Sequence, residues 1–357
     1  MRLLDCFVPR NDGAKMEDQM KKIFAAALAL CVSAPALAQD YFAGKNVTIL
    51  VASSTGGGLD TYARLVGRHF HKHIPGRPNI VVQNMPGAGG NIVAQNLYNI
   101  APKDGTVMGV TFPSVIVDPL LTEGVKREFD ATKFNYVGNA HSEVLVCVIR
   151  KDAPVKKLED LRTTEIIIGA TAPGSTTADF PKIANGVLDT KMKLVTGYKG
   201  SREVTMGIES NEVQGICGLG YSTVKVQYPD IMNNPFARIF AQEDMAGHPV
   251  LNKAGVPLLI ELARNADERA AMQMFYGQNA IARPFILPPN VAANRVALLR
   301  KSFDETMKDP ELLAEAEKMT IDVVPSNGEA VTKIVDAMYA TPPAVIARVK
   351  EALARSK

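Results

Sequence analysis

Short apolar runs alternate with amphipathic runs along most of this 357-residue chain, and this alternation limits the possible folds more than any other feature. Runs at 47–51, 79–83 and 106–112 have the length of buried strands, while 59–74 and 92–100 carry apolar residues at helical spacing. Strands that alternate with helices form parallel sheets, because a parallel pair needs a long crossover connection. We therefore predict an α/β unit in this part of the chain.

A second α/β unit is predicted farther along the chain. The expected strands are 144–149, 165–170, 193–196 and 213–219, and the expected helices are 158–161, 179–188 and 201–209. The tail should be helical, with segments at 291–308, 310–319, 329–340 and 343–355. Two such units predict two lobes, and a cleft between lobes is a favoured site for a small ligand.

The N-terminus contains the three parts of a secretory signal peptide in order. Lys21 and Lys22 precede an apolar run at 23–32, and Ala36-Leu-Ala38 supplies the small residues of a cleavage site. We predict that translation starts at Met20, that residues 1–38 are leader, and that cleavage after Ala38 releases a periplasmic protein. Cys31 could suggest a lipoprotein, but the bulky Leu30 before it argues against lipidation.

Composition excludes several classes of function. Lys and Arg number 40 against 37 Asp and Glu, and Trp is absent, so neither the basic surface nor the stacking platforms of a nucleic-acid-binding protein are expected. Past the leader, no apolar run is long enough to span a bilayer. Cys147 and Cys217 lie in strand-like runs, and an oxidising compartment would permit a disulfide between them. Two buried free thiols are the favoured interpretation, since sequence alone does not supply the required Cα geometry.

Small residues fill the turns that follow several predicted strands. The turn at 53–60 leads into a helix, whose unpaired N–H groups and partial positive charge suit an anion such as a carboxylate. The turn at 84–91 is similar to the glycine motif of dinucleotide-binding proteins, but the spacing of its glycines does not match that motif. The turn at 169–176 imitates a phosphate loop, but Ser175 stands where lysine is required. A flexible turn with an ordinary helix cap is the alternative for the turn at 53–60.

Neither a metal site nor a catalytic site is predicted. His69 and His73 share a helix face with i, i+4 spacing, and His71 lies between them, so a metal site is conceivable. The favoured interpretation is a solvated helix face, because no acidic partner is evident and the helix end should be exposed. Ser175 would be the nucleophile of a hydrolase, but no histidine lies near it in sequence. We expect no cofactor.

Taken together, the motifs resemble the Bug family, the extracytoplasmic substrate-binding proteins of tripartite tricarboxylate transporters. In chain order the matching segments are Thr55-Gly-Gly-Gly-Leu-Asp60, Val81-Val-Gln-Asn-Met-Pro-Gly-Ala-Gly-Gly90, Ala101-Pro-Lys-Asp-Gly-Thr-Val107, Gly197-Tyr-Lys-Gly200 and Ala282-Arg-Pro-Phe-Ile-Leu-Pro-Pro-Asn290. The resemblance covers nearly all of the chain after the leader. The resemblance implies an α/β fold of the type II periplasmic-binding-protein (Venus flytrap) kind, with two lobes of mostly parallel sheet joined by hinge strands near 138–145 and 277–283.

The resemblance also implies a division of the chain and a ligand class. Residues 39–140 and 281–357 would form lobe 1, and 141–280 lobe 2. The ligand would be a small organic acid, either a di- or tricarboxylate or an aromatic acid, gripped mainly by backbone amides and small hydroxyls. The implied binding residues are Thr55, Gly56, Gly57, Gly58, Leu59, Asp60, Pro86, Gly87, Ala88, Gly89, Gly90, Asn91, Thr111, Ser114, Gly174, Ser175, Thr176 and Tyr198.

The expected function is therefore capture of a carboxylate and its delivery, by a monomer, to the membrane subunits of such a transporter. Two alternatives remain at this stage. The protein could present its ligand to a membrane signalling receptor, since one fold serves both uses. Less favoured is a secreted hydrolase that uses the same cleft with Ser175 as nucleophile.

Overall fold

A computed structural model describes residues 41–354 of the chain, apart from 54, 57, 123–127, 172–173 and 229–230. The predicted leader at 1–38 lies outside the described residues, as does Gly57 of the first glycine turn. In the part that is described, no helix is long and apolar enough to cross a membrane.

Eleven strands and thirteen α-helices make up the described framework. In chain order the strands are β1 (Asn46–Val51), β2 (Asn79–Asn84), β3 (Val107–Val110), β4 (Asn135–Asn139), β5 (Leu145–Arg150), β6 (Ile166–Gly169), β7 (Met192–Val195), β8 (Gly215–Gly220), β9 (Ala237–Glu243), β10 (Pro284–Leu287) and β11 (Ser326–Asn327). The helices are α1 (Gly58–His73), α2 (Asn91–Gln95), α3 (Ser114–Leu121), α4 (Asp160–Thr163), α5 (Thr176–Leu188), α6 (Ser201–Glu209), α7 (Tyr221–Gln227), α8 (Pro249–Lys253), α9 (Ala266–Tyr276), α10 (Ala293–Thr306), α11 (Pro310–Lys318), α12 (Gly328–Tyr339) and α13 (Pro343–Ala354).

The strands form two mixed sheets, each flanked by helices, which confirms the predicted α/β fold class. The first sheet has the order β11-β4-β10-β3-β1-β2. Its β1 is parallel to both β2 and β3, as the strand–helix–strand alternation predicted, whereas β10 is antiparallel to β3 and β4. The second sheet has the order β7-β6-β8-β5-β9, with β6 parallel to its neighbours and β5 antiparallel to β8 and β9.

The C-terminal helix packs on the second sheet rather than the first. Val345, Val349 and Ala352 of α13 belong to the apolar core that contains α5 and α9. The approach to α5 is close, since a Cβ on Gly186 would lie only 2.4 Å from the Cβ of Ala352. The predicted division assigned every residue from 281 onward to lobe 1, and it stays a prediction. Helices α12 and α13, although consecutive, bury their apolar faces against different cores.

A disulfide joins Cys147 of β5 to Cys217 of β8, so the prediction of two free thiols is wrong. The two strands are antiparallel neighbours, and the two Cα atoms are 3.9 Å apart. Sequence could not supply this geometry, because the two cysteines are 70 residues apart and meet only through sheet pairing. A buried disulfide agrees with the oxidising compartment that the predicted leader implies.

Two segments of the chain cross between the sheets and lie side by side. Residues 140–144 lead from β4 to β5, and the 3-10 helix Gly277–Ile281 precedes β10, so the second predicted hinge strand is helical. The backbone N–H of Glu143 donates to the carbonyl of Asn279 at 3.0 Å. The side chain of Asn139 donates to the carbonyl of Ala280 at 3.1 Å. These bonds hold the two crossing segments together.

Candidate functional site

A cavity of about 340 Å³ lies where the crossing segments meet both sheets. Its volume is in the range that suits a small molecule. A larger groove of about 590 Å³ runs along α1, but residues 64–82 alone line it, so it lies on one outer face. The smaller cavity is lined by Phe112, Pro113, Ser114, Glu143, Leu145, Gly174, Thr176, Gln278, Asn279, Ala282 and Arg283. Because this lining draws on both sheets and both crossings, we take the cavity as the candidate site.

Arg283 brings a buried positive charge to this cavity. Its Nε is buried, and no described residue accepts a hydrogen bond from it. Nη1 donates to the carbonyl of Ala282 at 2.7 Å, and the guanidinium carbon lies 5.3 Å from the ring centre of Tyr62. Burial lowers the pKa of Arg283, but a guanidinium stays protonated in proteins. Among the described residues, no carboxylate forms an ion pair with this cation.

Glu143 brings a negative charge to the same cavity. Its Oε2 accepts a hydrogen bond from Ser222 Oγ at 2.6 Å and lies 3.4 Å from His141 Nε2, while Oε1 accepts from Ser222 N at 3.2 Å. Burial alone would raise the pKa of Glu143, but the hydrogen bonds with His141 and Ser222 hold it below the ordinary value. The side chain is therefore ionised at neutral pH.

The first glycine turn is organised by Asp60, which does not face the cavity. The carboxylate is 2% exposed, accepts hydrogen bonds from Gly56 N at 2.8 Å and Asn84 Nδ2 at 2.8 Å, and pairs with Arg64 Nε at 2.9 Å. Burial would raise its pKa, but the bonds from Arg64, Gly56 and Asn84 lower it overall. Asp60 and the Gly56 amide thus bond each other inside the loop.

Other residues of the first turn have mixed positions. Thr55 donates to Asn84 Oδ1 at 3.1 Å, and Leu59 is buried in the first core, so neither presents its side chain to the cavity. Gly58 lies against the cation, since a Cβ there would be 3.3 Å from Arg283 Nη2. Gly57 lies outside the described residues. The first turn therefore touches the candidate site through Gly58.

The second glycine turn has a backbone that glycine makes possible. Gly87, Ala88, Gly89 and Gly90 have φ values of 134°, 46°, 62° and 94° in succession. L-residues with side chains rarely adopt such values, which explains the density of glycine here. The hydroxyl of Ser114 donates to the carbonyl of Gly89 at 3.0 Å, which links the turn to the cavity lining.

Three further predicted residues flank this turn. Asn91 begins α2, and its Nδ2 donates to the carbonyl of Ala88 at 2.8 Å, whereas Pro86 is exposed. Thr111 is fully buried, and its hydroxyl contacts no hydrogen-bond partner among the described residues. The amide oxygen of Asn91 is likewise buried without a described partner. These atoms remain candidates for hydrogen bonds to water or ligand.

The second-sheet turn contributes Gly174 and Thr176, two of the predicted binding residues, to the cavity lining. Ser175 lies between them, but its hydroxyl bonds Thr171 Oγ1 at 2.8 Å and Thr177 Oγ1 at 3.0 Å. The hydroxyl cluster therefore fixes the start of α5. Behind it, Gly218 packs so closely that a Cβ would lie 2.1 Å from the Thr176 carbonyl oxygen. Strand β8 thus supports this wall of the cavity directly.

Tyr198, another predicted binding residue, is not among the described residues that line the cavity. Its ring packs beside two glycines. A Cβ on Gly207 would lie 3.0 Å from the tyrosine hydroxyl, and a Cβ on Gly169 would lie 3.4 Å from a ring carbon. The two glycines leave room for the tyrosine to pack against an apolar core that includes Val204 and Ile208.

Two of the histidines on α1, His69 and His73, contact carboxylates and do not lie on a fully solvated face. His69 Nε2 is 2.7 Å from Glu315 Oε2, and His73 Nε2 is 3.0 Å from Asp309 Oδ2. The acidic partners come from the C-terminal part of the chain and could not be seen near the histidines in sequence. Of the described residues, only Cys147, Cys217 and Glu243 bring three ligand atoms within 4.8 Å, and both sulfurs are in the disulfide. We therefore assign no metal site.

The geometry around Ser222 and Ser175 does not form a catalytic triad. Ser222 Oγ bonds the carboxylate of Glu143 and not the imidazole of His141, so the imidazole is not placed to take the serine proton. Ser175 is held by threonine hydroxyls. A general base must lie within hydrogen-bond reach of the proton it abstracts, and neither serine meets that condition with a histidine among the described residues.

Sequence reasoning missed the charged part of the site. Glu143 and Arg283 stand in segments that were assigned to the hinge, and Gln278 and Asn279 adjoin the second of them. The available signal was a charged residue, Arg283, directly before a proline in an otherwise apolar stretch. A charge in a buried hinge strand requires a partner, and this requirement could have nominated the residue.

Part of the chain matches a known protein family and a curated relative. The family model described as "Tripartite tricarboxylate transporter family receptor" matches residues 63–180. A curated relative from Agrobacterium vitis, "UPF0065 protein in the TAR-I ttuE-ttuC' intergenic region", is 29% identical over 200 residues, which are 51% of this chain and 54% of that protein. The chain thus spans about half the length of this curated relative.

Solved structures share the fold over most of the chain. A TctC solute-binding protein from Polaromonas, without ligand, aligns with a TM-score of 0.68 at 17% identity over 85% of this chain and 98% of that one. MatC from Rhodopseudomonas palustris with bound malate aligns with a TM-score of 0.55 at 17% identity, covering 87% of this chain and 99% of MatC. An R. palustris protein with adipate gives 0.57 at 18% identity, covering 86% and 97%. The resemblance that the loop motifs predicted is supported: residues 63–180 match the tripartite tricarboxylate transporter family receptor model, and most of the chain shares the fold of solved TctC-type solute-binding proteins.

Proposed function

We propose that this protein is an extracytoplasmic solute-binding protein that captures a small organic carboxylate in the cavity between its sheets and delivers it to a tripartite tricarboxylate transporter. The observation that carries the proposal is Arg283. A buried cation is costly unless an anion and hydrogen bonds compensate it, and no described carboxylate does so. A ligand carboxylate would supply the missing charge and an acceptor for Nε.

The surroundings of Arg283 favour a planar anion. A guanidinium presents parallel N–H donors that match a carboxylate in two-point geometry. Gly58, which has no side chain, leaves space beside Nη2, and the hydroxyl-bearing residues Ser114 and Thr176 line the same cavity. The first glycine turn reaches this charged centre through Gly58, and the second is linked to it by the hydrogen bond from Ser114 to Gly89. The solved relatives that hold malate and adipate are consistent with a carboxylate ligand.

Delivery to a transporter, location in the periplasm and the absence of enzymatic activity rest on the relatives and the sequence. The family model describes receptors of a transporter family, and the solved relatives are solute-binding proteins. The leader motif and the disulfide agree with export. We propose that lobe 1 is built on the first sheet and lobe 2 on the second, with closure around the cavity on binding.

Calorimetric titration of the purified protein with organic acids and their uncharged amides tests the proposal. We expect at least one acid to bind while its amide does not, because the amide lacks the negative charge that Arg283 requires. A ligand at about a hundred times its Kd should also stabilise the fold by roughly 2.7 kcal/mol. Equal binding of acid and amide across the panel, or no binding of any acid, would contradict carboxylate capture.

A further inference from the structure

The cavity presents one positive and one negative side chain to its contents. Of the residues that line it, only Glu143 and Arg283 are ionisable. Glu243 lies close by at the end of β9, but burial raises its pKa to about 8, so it is mostly protonated at neutral pH. The formal side-chain charge at the cavity wall is therefore zero, made of two opposite charges.

These two charges do not cancel by contact. Among the described residues, no ion pair joins Arg283 to Glu143, although the charge of Glu143 acts on Arg283 through space. The carboxylate is held instead by the hydroxyl and N–H of Ser222 at the start of α7 and by the imidazole of His141. Each charge is thus fixed by its own neighbours and remains available to a different part of one ligand.

Glu143, which lines the cavity, retains acceptor capacity. A carboxylate has about four lone-pair positions. Ser222 and His141 use two on Oε2, and Ser222 N uses one on Oε1. One position on Oε1 remains for an N–H donor. A ligand ammonium would fill it with a charge-assisted hydrogen bond, which is stronger than a neutral one.

The same carboxylate should reject an anionic group. A dicarboxylate bound through one end to Arg283 would bring its second charge into a small cavity that contains Glu143. Like charges brought together in a desolvated site act against the wrong ligand, and specificity often depends on such repulsion. A simple monocarboxylate would avoid the repulsion but leave Glu143 facing an apolar group.

We propose that the ligand is a zwitterion, an amino acid whose carboxylate binds Arg283 and whose ammonium binds Glu143. This inference rests on the proposed function and narrows its ligand class away from di- and tricarboxylates. It assigns Glu143 as the residue that determines specificity, and Arg283 as the anchor common to all acids.

Matched ligand pairs test the inference. The purified protein would be titrated calorimetrically with aspartate and succinate, glutamate and glutarate, and leucine and 4-methylpentanoate, because the members of each pair differ by the amino group. In at least one pair we expect the amino acid to bind about tenfold more tightly or better, the scale of one charge-assisted hydrogen bond. Glu143→Gln should abolish that preference while binding of the deaminated acid persists or strengthens.

A matched control is Asp152→Asn, which removes an exposed carboxylate that does not line the cavity and should leave the preference unchanged. The wild-type pairs do not depend on the folding of any variant. If deaminated acids bind as tightly as amino acids, or if Glu143→Gln keeps the preference, the zwitterion inference is overturned while carboxylate capture stands. If neither member of any pair binds, the proposed function itself fails and the inference fails with it.

Discussion

The two sides of the cavity are built by different means. The glycine side consists of Ser114 in the cavity lining and, behind it, the turns at 55–60 and 86–91, which reach the lining through Gly58 beside Arg283 and through the bond of Ser114 to Gly89. It is shaped by backbone, since four successive residues have positive φ and the buried carboxylate of Asp60 is used within the loop. The charged side, made of Glu143, Asn279 and Arg283, consists of polar side chains on the crossing segments. Shape is therefore fixed on one side and charge on the other.

This difference teaches which residues can be exchanged. On the glycine side, replacements should change the fold of the loop before they change its chemistry, because the backbone leaves little room for side chains. On the charged side, replacements should change affinity and selectivity more than stability. The predictions below test this contrast in order of decreasing effect on the free energy of unfolding.

Loss of the disulfide should have the largest effect on stability. Replacement of both Cys147 and Cys217 by alanine removes a link across 70 residues of sequence, for which the expected loss is about 4 kcal/mol. Urea denaturation of the variant, beside the oxidised and reduced wild type, measures it. Reduced wild type should match the variant. Unchanged stability in both would show that the link does not hold β5 and β8, and hence the support of Thr176, in place.

Gly90→Val should be the most damaging single change on the glycine side. The residue has φ of 94°, and a Cβ would lie 3.0 Å from Val115 and 3.3 Å from Ala52. Strain and crowding together should lower the free energy of unfolding by roughly 3 kcal/mol. Gly44→Val is the control, because Gly44 has φ of 69° but nothing within 4 Å of a Cβ. Equal losses in the two variants would mean that crowding at Gly90 plays no part.

Asp60→Asn should cost about 2 kcal/mol at pH 7, since it removes charge-assisted hydrogen bonds from Arg64, Gly56 and Asn84. The pKa of Asp60 is lowered in the folded protein. Its contribution is therefore complete above the unfolded value of about 3.9 and is lost as pH falls through the folded pKa. Denaturation curves at pH 7, 5 and 3 should show a difference between wild type and variant that shrinks only in the most acidic solution.

A control for Asp60 is Asp152→Asn, which breaks an exposed pair with Arg150. Surface pairs contribute little, so its stability should change much less. If Asp60→Asn were as mild as the control at pH 7, Asp60 would not organise the first turn, and its assignment to the ligand would deserve renewed testing.

Sequence predicted the elements whose patterns are local. Strand β1, helix α1 and helix α6 appear within one residue of the predicted bounds. Strand β4 was missed because its sequence, Asn-Tyr-Val-Gly-Asn, has no apolar run and depends on pairing with β10. Helix α3 was missed because Pro119 interrupts its pattern. Tertiary contacts determine the secondary structure of such segments, and the local sequence pattern does not reveal those contacts.

The same limit applies to the site. The glycine turns were visible because positive φ demands a particular residue type, so the backbone leaves a mark in the sequence. Glu143 leaves no such mark, and Arg283 leaves only a charge in an apolar stretch, since their role depends on the folding of distant segments. Tyr198 shows that packing can also leave a mark, since its ring lies against Gly169 and Gly207.

The most direct test of the account is Arg283→Met, with binding and stability measured on the same protein. Removal of the cation should weaken binding of the best acid by ~30-fold or more, because the ligand charge would lose its buried partner. The midpoint of thermal unfolding without ligand should stay the same or rise, because a buried charge without a described ion-pair partner is replaced by an apolar group of similar length. Arg295→Met, which removes an arginine stacked on Tyr41 outside the cavity, should leave affinity unchanged. Undiminished affinity in Arg283→Met would contradict the claim that this residue anchors the ligand.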